Sequence, residues 1–488
     1  MTADLVLAID QGTTNTKALV VAADGSVVTR AARPMKVVYP QPGWAEQSAT
    51  DLWATVHEAV AEALRDVDRG RLAAIAISNQ RESVVLWDRA TGAPIGPCVI
   101  WQCRRSSAAC ASLRARGLAE AIRAKTGLGL DPLFPASKIA WLLDQHPSLR
   151  PRAARGELAV GTIDAWLLWN LTGGRVHACD RSNASRTQLF DIRRLAWDAE
   201  LAEIFRVPLA VLPEVRPSDA RFGTTTTGLA GIPAGIPIRA MMGDSHAALY
   251  GHAVDGPGTV KATYGTGSSL MTLTDGVVAS THGLASTIAW SRGDRVAHAL
   301  EGNISVSAQA AAFMAKMLGL ADVVALSALA ETVDGSDGVV FVPALVGLGA
   351  PHWNDAARGL VTGLSLGSTP AHIARATFEA IALQIVDVVE AMEGDLHHPL
   401  ARLSVDGGAT ANRFLMRLQA DLAGRPIDVS GITELSAVGA ARMAFAAIGG
   451  DDTRLFVPEV TTFTPTLSPD RRAAIRATWK SAVARAQA

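Results

Sequence analysis

Two turns of nearly the same design, half a chain apart, restrict the architectures open to these 488 residues. The first stretch is Leu5-Val-Leu-Ala-Ile-Asp-Gln-Gly-Thr-Thr-Asn-Thr-Lys-Ala-Leu-Val-Val21, and the second is Val260-Lys-Ala-Thr-Tyr-Gly-Thr-Gly-Ser-Ser-Leu-Met-Thr-Leu273. In each, strand-forming runs flank a turn built from Gly, Thr and Ser. The first turn holds what a phosphate or metal site needs. Gly12 permits close backbone approach, Thr13 and Thr14 offer hydroxyl and N–H donors, Lys17 supplies a cation, and Asp10 can hold Mg²⁺ or its waters. Taken alone it reads equally well as an ordinary hairpin turn. The repeat at the start of the second half favours a duplicated architecture with a nucleotide between the halves.

The rest of the chain supplies further strand ends and helix starts of that kind. Val27–Arg30 reads as a third strand, and Ala49–Leu64 as a helix with Leu52, Val56, Val60 and Leu64 on one face. Strand Leu72–Ser78 ends in Asn79-Gln80-Arg81-Glu82, where Arg81 and Glu82 either turn into a cleft or form a surface ion pair. Trp101 follows another short strand and, on residue type alone, belongs to the core more often than to a ligand wall. Leu133 to Lys138 reads as a loop entering a helix, Ile163–Leu171 as an amphipathic helix and Asp180–Thr187 as a polar connection. Strand Ile238–Met242 leads through Gly243-Asp244-Ser245-His246 into a helix, which makes Asp244 either a helix cap or a catalytic carboxylate. A third glycine turn, Val405-Asp-Gly-Gly-Ala-Thr-Ala-Asn412, opens a helix over Asn412–Leu422, with helix Ala437–Ile448 packed behind it. A loop and a terminal helix close the chain.

A length of 488 residues exceeds one ordinary core, so two or more domains are expected. The net charge of −1 gives no reason for a nucleic-acid or acidic-membrane partner. Cys98, Cys103, Cys110 and Cys179 show no Cys-x-x-Cys spacing and are too sparse for a disulfide scaffold. With no secretory signal and no apolar run long enough to span a bilayer, the expected location is the cytoplasm. Neither a Gly-x-x-x-x-Gly-Lys-Ser/Thr loop nor a Gly-x-Gly-x-x-Gly turn between strand and helix occurs, which disfavours P-loop and dinucleotide folds.

In this order, Asp10–Thr14, Pro42–Glu46, Ser78–Glu82, Ile100–Arg105, Asn183–Thr187, Tyr264–Gly267, Gly347–Pro351, Gly359–Glu379 and Asp406–Ala409 resemble the FGGY carbohydrate kinases, and within them the glycerol kinases. The resemblance implies an α/β fold of two actin-like (ribonuclease H-like) domains with the active site in the interdomain cleft. It divides the chain into an acceptor-binding domain, 1–244, which ends on the catalytic base, and a nucleotide-binding domain, 245–488. Carried over by position, Asp244 is the general base and Asp10 and Asp244 hold Mg²⁺. Thr13, Thr14 and Lys17 (often Arg in the family) sit near the phosphates of ATP. Gly265, Thr266, Ala308, Gly408 and Asn412 contact the nucleotide, while Arg81, Glu82 and Trp101 hold the acceptor. The expected partners are a small-molecule polyol or sugar and further copies of the chain, as homodimer or homotetramer.

Three positions depart from the glycerol kinase pattern. Leu133 stands for a Tyr, Ser245 for the Gln after the catalytic Asp, and Ser269 for a Phe. Each exchange removes bulk or a hydrogen-bonding group, so the expected acceptor is larger than glycerol, a four- or five-carbon polyol or a ketose, with Ser245, His246 and Ser269 binding its extra hydroxyls. A glycerol kinase with neutral changes is the alternative. Ala308 and Ala312 replace Gly and Gln near the nucleotide. Thr224–Gly235 does not match the loop through which some bacterial glycerol kinases bind a sugar bisphosphate, so that regulation is not expected. Two readings from other classes are a serine hydrolase, from Gly243-Asp-Ser-His246 with Asp395-Leu-His-His398, and a non-catalytic actin-like ATP-binding protein. The mid-chain position of Gly243–His246 argues against the hydrolase, and an acceptor-site carboxylate argues against a binding-only protein.

Overall fold

The computed structural model describes residues 3–229, 231–254, 256–449 and 457–488. Ala230 of the segment Thr224–Gly235, and residues 450–456 ahead of the terminal helix, lie outside the described residues. The chain forms two compact units. The first comprises Met1–Ala253, Ser286–His298 and Glu434–Val457, and the second comprises Val254–Ala285, Ala299–Thr433 and Pro458–Ala488. The boundary therefore differs from the division at 244. Strand Pro237–Gly243 passes straight into helix Asp244–Gly251, whose Ala247, Ala248 and Leu249 are buried in the first unit, so no break falls between them.

The sheet of the first unit runs Gly223–Thr224, Pro237–Gly243, Leu72–Asn79, Leu5–Gln11, Asn15–Ala22, Val27–Pro34. Leu5–Gln11 pairs antiparallel with Asn15–Ala22 and parallel with Leu72–Asn79, which in turn pairs parallel with Pro237–Gly243. Every residue of Leu5–Gln11 is buried, as a central strand covered on both faces requires. Helix Ala49–Ala63, capped by Ser48, lays Leu52, Val56, Ala59 and Val60 over one face. Helix Leu435–Gly449 covers Leu72–Asn79, Leu5–Gln11 and Pro237–Gly243 and packs on helix Asp244–Gly251. The helices meet at small residues, for a Cβ on Gly439 would fall 1.9 Å from the Ala247 carbonyl oxygen. This helix thus belongs to the first unit, not behind Arg413–Ala423 as its sequence neighbours suggest.

The second unit repeats the plan. Thr259–Tyr264 pairs antiparallel with Ser268–Thr274 and parallel with Arg402–Asp406, which pairs parallel with Ile427–Ser430. Arg295–Ile304 lies beyond Ser268–Thr274, and Val460–Phe463 closes the opposite edge. The duplication inferred from the two turns is therefore one of sheet topology. Helix Pro370–Leu396, 27 residues long, carries the core of this unit through Phe378, Ile381, Ile385, Val388 and Met392 and packs on Arg413–Ala423.

Two elements of the first unit differ from their sequence reading. Helix Ile163–Leu171 buries Ile163 through Leu168 in succession and is not amphipathic. It is surrounded by protein, so both faces are apolar and no period-3.6 contrast arises. Asp180–Thr187 is no surface connection either: Asp180 caps a short helix, Arg181–Ala184, and all eight residues except Arg181 are buried. The Asp180 carboxylate accepts from the Ser182 and Asn183 N–H groups, from their side chains and from Ser218 Oγ, all within 3.0 Å, and so satisfies the polarity it buries. Among the described residues no helix is long and apolar enough to cross a membrane, and the four cysteines are buried and unbridged.

Candidate active site

In the first unit the functional side chains sit where parallel strands end, as is usual in α/β sheets. Leu5–Gln11 ends at Asp10 and the Gly12–Thr14 turn, Leu72–Asn79 at Arg81 and Glu82, and Pro237–Gly243 at Asp244. Asp244 is the first residue of its helix. Gly243 occupies the cap position, so the cap reading of Asp244 fails, and its Oδ1 accepts from the Ser245 N–H at 2.6 Å. Arg81 Nε lies 3.2 Å from Asp244 Oδ1. The arginine side chain is 7% exposed and the aspartate 37%, so a buried cation steadies a carboxylate that solvent can reach. Gly243 makes this approach possible, since a Cβ there would lie 2.6 Å from Arg81 Cγ.

Arg81 and Glu82 are not partners on the surface. Glu82 is buried, its Oε1 2.7 Å from Arg186 Nε, and its backbone is left-handed at φ 58°. Trp101 is exposed rather than in the core, its Nε1 donating to Thr13 Oγ1 at 2.8 Å. Leu133 and Ser245 are half-buried. His246 departs from the expected set: it is fully buried, with Nε2 3.3 Å from Thr287 Oγ1. Residues two apart on a helix point about 200° apart, so with Asp244 facing outward His246 faces the core and is not presented to an acceptor.

Asp10 is buried and accepts from Ser78 Oγ at 2.8 Å. Burial pushes its carboxyl up to about 6, opposed by Lys17 and reinforced by the charges of Asp244 and Glu434. A buried carboxylate with two acidic neighbours and one lysine fits a divalent cation. Mg²⁺ is commonly held by one or two carboxylates together with waters and phosphate oxygens, which matches Asp10 with Asp244. Lys17 donates to Glu434 at 2.5 Å. Thr13 is half-buried and Thr14 exposed at the turn.

The second unit presents its own cluster of loops. Gly265 and Thr266 are exposed at the turn between Thr259–Tyr264 and Ser268–Thr274. The Gly265 carbonyl accepts from the Ala308 N–H at 3.2 Å and that of Thr266 from the Ser307 N–H at 2.9 Å, so the 307–308 segment is laced to the turn. Gly407 has φ 98°, and a Cβ there would meet the Tyr264 carbonyl oxygen at 2.5 Å, which brings the third glycine turn against the same hairpin. Gly408 is exposed, with nothing within 4 Å of a Cβ built on it. The side chain of Asn412 caps helix Arg413–Ala423 through Leu415 N and donates to Ser327 Oγ at 3.0 Å. Ser269 Oγ donates to Glu301 Oε1 at 3.2 Å.

Sequence reasoning passed over Lys138, Arg186 and Glu434. Lys138 stands in an otherwise apolar helix start, Phe134-Pro-Ala-Ser-Lys-Ile-Ala-Trp141, a setting in which a lysine must be buried and bonded. Arg186 falls within Asn183–Thr187, where residue type alone implies no role for it. Glu434 carried no signal, because its partner Lys17 is 417 residues away.

Two units of one topology, one bearing acidic and basic groups at its strand ends and the other a set of glycine-rich loops, define a phosphotransferase of the actin-like class. Residues 5–251 match the N-terminal domain, and 260–448 the C-terminal domain, of the FGGY family of carbohydrate kinases. The chain is 47% identical over 490 residues to a glycerol kinase of Symbiobacterium thermophilum, spanning 99% of this chain and 98% of that one. It is 46% identical over 488 residues to an apulose kinase of Pectobacterium atrosepticum, again spanning 99% and 98%. Among solved structures, Plasmodium falciparum glycerol kinase with ADP superimposes with a TM-score of 0.93 at 30% identity, covering 100% of this chain and 99% of that one. The protein belongs to the FGGY family of carbohydrate kinases and is an ATP-dependent phosphotransferase.

Proposed function

We propose that the protein transfers the γ-phosphoryl group of ATP to a terminal hydroxyl of a polyol or sugar larger than glycerol. The observation that carries the reaction is Asp244, a solvent-reachable carboxylate at a helix N-terminus held 3.2 Å from a buried Arg81. That geometry suits a base that takes the proton of the attacking hydroxyl. Arg81, Glu82 and Trp101 align the acceptor. Lys17, Thr13 and Thr14 neutralise and orient phosphate oxygens, and Lys17 exchanges Glu434 for phosphate when it does so. Gly265, Thr266, Ala308 and Gly408 offer backbone to the nucleotide, and Asn412, which caps helix Arg413–Ala423 just after the Gly408 turn, contacts it beside them. Mg²⁺ at Asp10 and Asp244 would offset the phosphate charge. Phosphoryl transfer depends chiefly on such alignment and charge neutralisation.

The acceptor is argued from Leu133 and Ser245, with Ser269 of the second unit as a third position. The similarity to a glycerol kinase and to an apulose kinase is almost equal, so overall identity does not choose between their acceptors. Side chains smaller than the family's Tyr, Gln and Phe at these positions support an acceptor larger than glycerol, and the Ser245 hydroxyl would take an additional acceptor oxygen, whereas Ser269 Oγ donates to Glu301 Oε1. Coupled ADP-release assays over glycerol, tetritols, pentitols, hexitols, ketopentoses, ketohexoses and apulose test the reading. A four- or five-carbon compound is expected to give the highest kcat/KM. A tenfold or greater preference for glycerol would establish the alternative, a glycerol kinase with neutral substitutions.

A further inference from the structure

Glu82 is gripped from both ends by residues outside the acceptor set. Its left-handed backbone, φ 58°, is unfavourable for a residue with a Cβ, so something must hold it. The Glu82 carbonyl accepts from Lys138 Nζ at 2.8 Å, and its carboxylate accepts from Arg186 Nε at 2.7 Å. Both Lys138 and Arg186 are fully buried.

Lys138 has a second bond. Its Nζ donates to the Leu133 carbonyl at 2.6 Å, so one ammonium ties the backbone of Glu82 to the backbone of Leu133. Arg186 reaches the same loop by another route. Its guanidinium carbon lies 5.3 Å from the ring centroid of Phe134, and the Thr187 carbonyl accepts from the Ala136 N–H at 2.9 Å. Glu82, the 133–138 segment and the 186–187 segment therefore form one block. Burying an ammonium is costly: desolvation pulls Lys138 down to about 8, with the Glu82 charge opposing. An apolar side chain would fill that space without the cost, so the lysine is explained by the two carbonyls it joins.

We propose that Lys138 and Arg186 are positioning residues that set acceptor selectivity, holding Glu82 and the Leu133 loop at a fixed separation. The proposal rests on the reading that Glu82 binds acceptor hydroxyls. Leu133 then owes its place in the pocket to Lys138, and pocket width is a property of the clamp as well as of the side chain at 133. Loosening the clamp weakens acceptor binding and blurs the choice between acceptors, and it leaves ATP binding alone.

The test compares Lys138→Met, Arg186→Met, Arg186→Lys, Glu82→Gln and the double variant Glu82→Gln/Arg186→Met. The readouts are KM for the best and second-best acceptors of the panel, KM for ATP, kcat and the melting temperature. Lys138→Met and Arg186→Met are expected to raise acceptor KM about tenfold or more, to leave ATP KM within about twofold, and to narrow the ratio of kcat/KM between the two acceptors. Arg186→Lys, which keeps a charge and a donor, recovers part of the loss. Adding Arg186→Met to Glu82→Gln costs little more than Glu82→Gln alone, because both act through one carboxylate. A general loss, with kcat and both KM values worsening in step with melting temperature, would mark the two residues as structural and overturn the proposal. Unchanged acceptor KM in Glu82→Gln would instead remove Glu82 from the acceptor site, a separate failure. If the methionine variants do not fold, Arg186→Lys decides. A raised acceptor KM at unchanged melting temperature supports the clamp, and wild-type selectivity refutes it.

Discussion

Gly243→Ala is the most economical test of the Arg81–Asp244 pairing. Gly243 has φ −63° and ψ 149°, a conformation open to alanine, so backbone strain does not enter. The methyl group would lie 2.6 Å from Arg81 Cγ and 2.7 Å from Cδ, with His246 Nδ1 at 2.9 Å on another side. Ordinary carbon–carbon contacts need about 3.5–4.0 Å, so about 1 Å of relief is required. The flexible Arg81 stem yields more easily than a fully buried histidine, and it carries Nε away from Asp244. A misplacement of about 1 Å in an aligning group can lower the rate about 10²-fold, equivalent to about 2.7 kcal/mol of transition-state stabilisation. Steady-state kcat/KM for the acceptor, with circular dichroism to show an intact fold, reads the effect. Arg81→Ala gives the floor, and Gly243→Ala/Arg81→Ala should fall no lower, since the methyl acts through the arginine. The reasoning is refuted if Gly243→Ala keeps kcat/KM within about threefold of the wild type, or if the two losses add.

Asp244→Asn is expected to lower kcat by about 10² or more with ATP affinity nearly intact, measured by steady-state kinetics and calorimetry; a near wild-type rate removes Asp244 from the base role. Asp10→Asn is expected to lower activity by about 10² while leaving the melting temperature in EDTA equal or higher, because burial, outweighing the opposing Lys17 charge, pushes that carboxyl up to about 6 and the amide carries no charge. A lower melting temperature would show that the charged form of Asp10 stabilises the fold. Asp164 gives a pH dependence: burial, followed by the charge of Asp180, pushes its carboxyl up to about 7. The fold keeps that proton up to about pH 7, whereas the unfolded chain releases it from about pH 4, so this group's stabilisation falls as pH rises through the window. Urea midpoints should show Asp164→Asn gaining on the wild type between about pH 4 and pH 7, and parallel curves would refute the assignment.

The two hairpins were legible because their evidence is local, with apolar runs, a Gly/Thr turn and then apolar runs again; the strands Leu5–Gln11 and Asn15–Ala22 contain those runs but extend into the polar stretch, taking in Asp10, Gln11 and Asn15 to Lys17. Asp244 at a strand-to-helix junction was legible for the same reason. What composition could not convey was where polar residues go when the fold supplies their partners. Asp180 to Thr187 looks solvated until Asp180 is seen to collect its donors, and His246 looks available until the helix turns it inward. Lys17 looked like a free phosphate ligand, and its partner Glu434 arrives only after nearly the whole chain has been traced. The joined boundary of the first unit is of this kind too, because nothing in the residues around 244 tells that a helix two hundred positions later completes their sheet's cover.

That late helix, Leu435–Gly449, bears on how the protein comes into being. Its buried Leu435, Val438 and Met443 and its close crossing at Gly439 belong to the first unit. As the chain leaves the ribosome, strands Leu5–Gln11 and Leu72–Asn79 therefore wait for the helix that covers them while most of the second unit, up to Thr433, is made. A nascent chain of this kind carries an exposed apolar sheet for most of its synthesis, a surface that chaperones bind. A fragment ending at Ala253 stays in that condition permanently and is expected to aggregate, whereas the same fragment supplied with a peptide spanning 434–449 regains its cover.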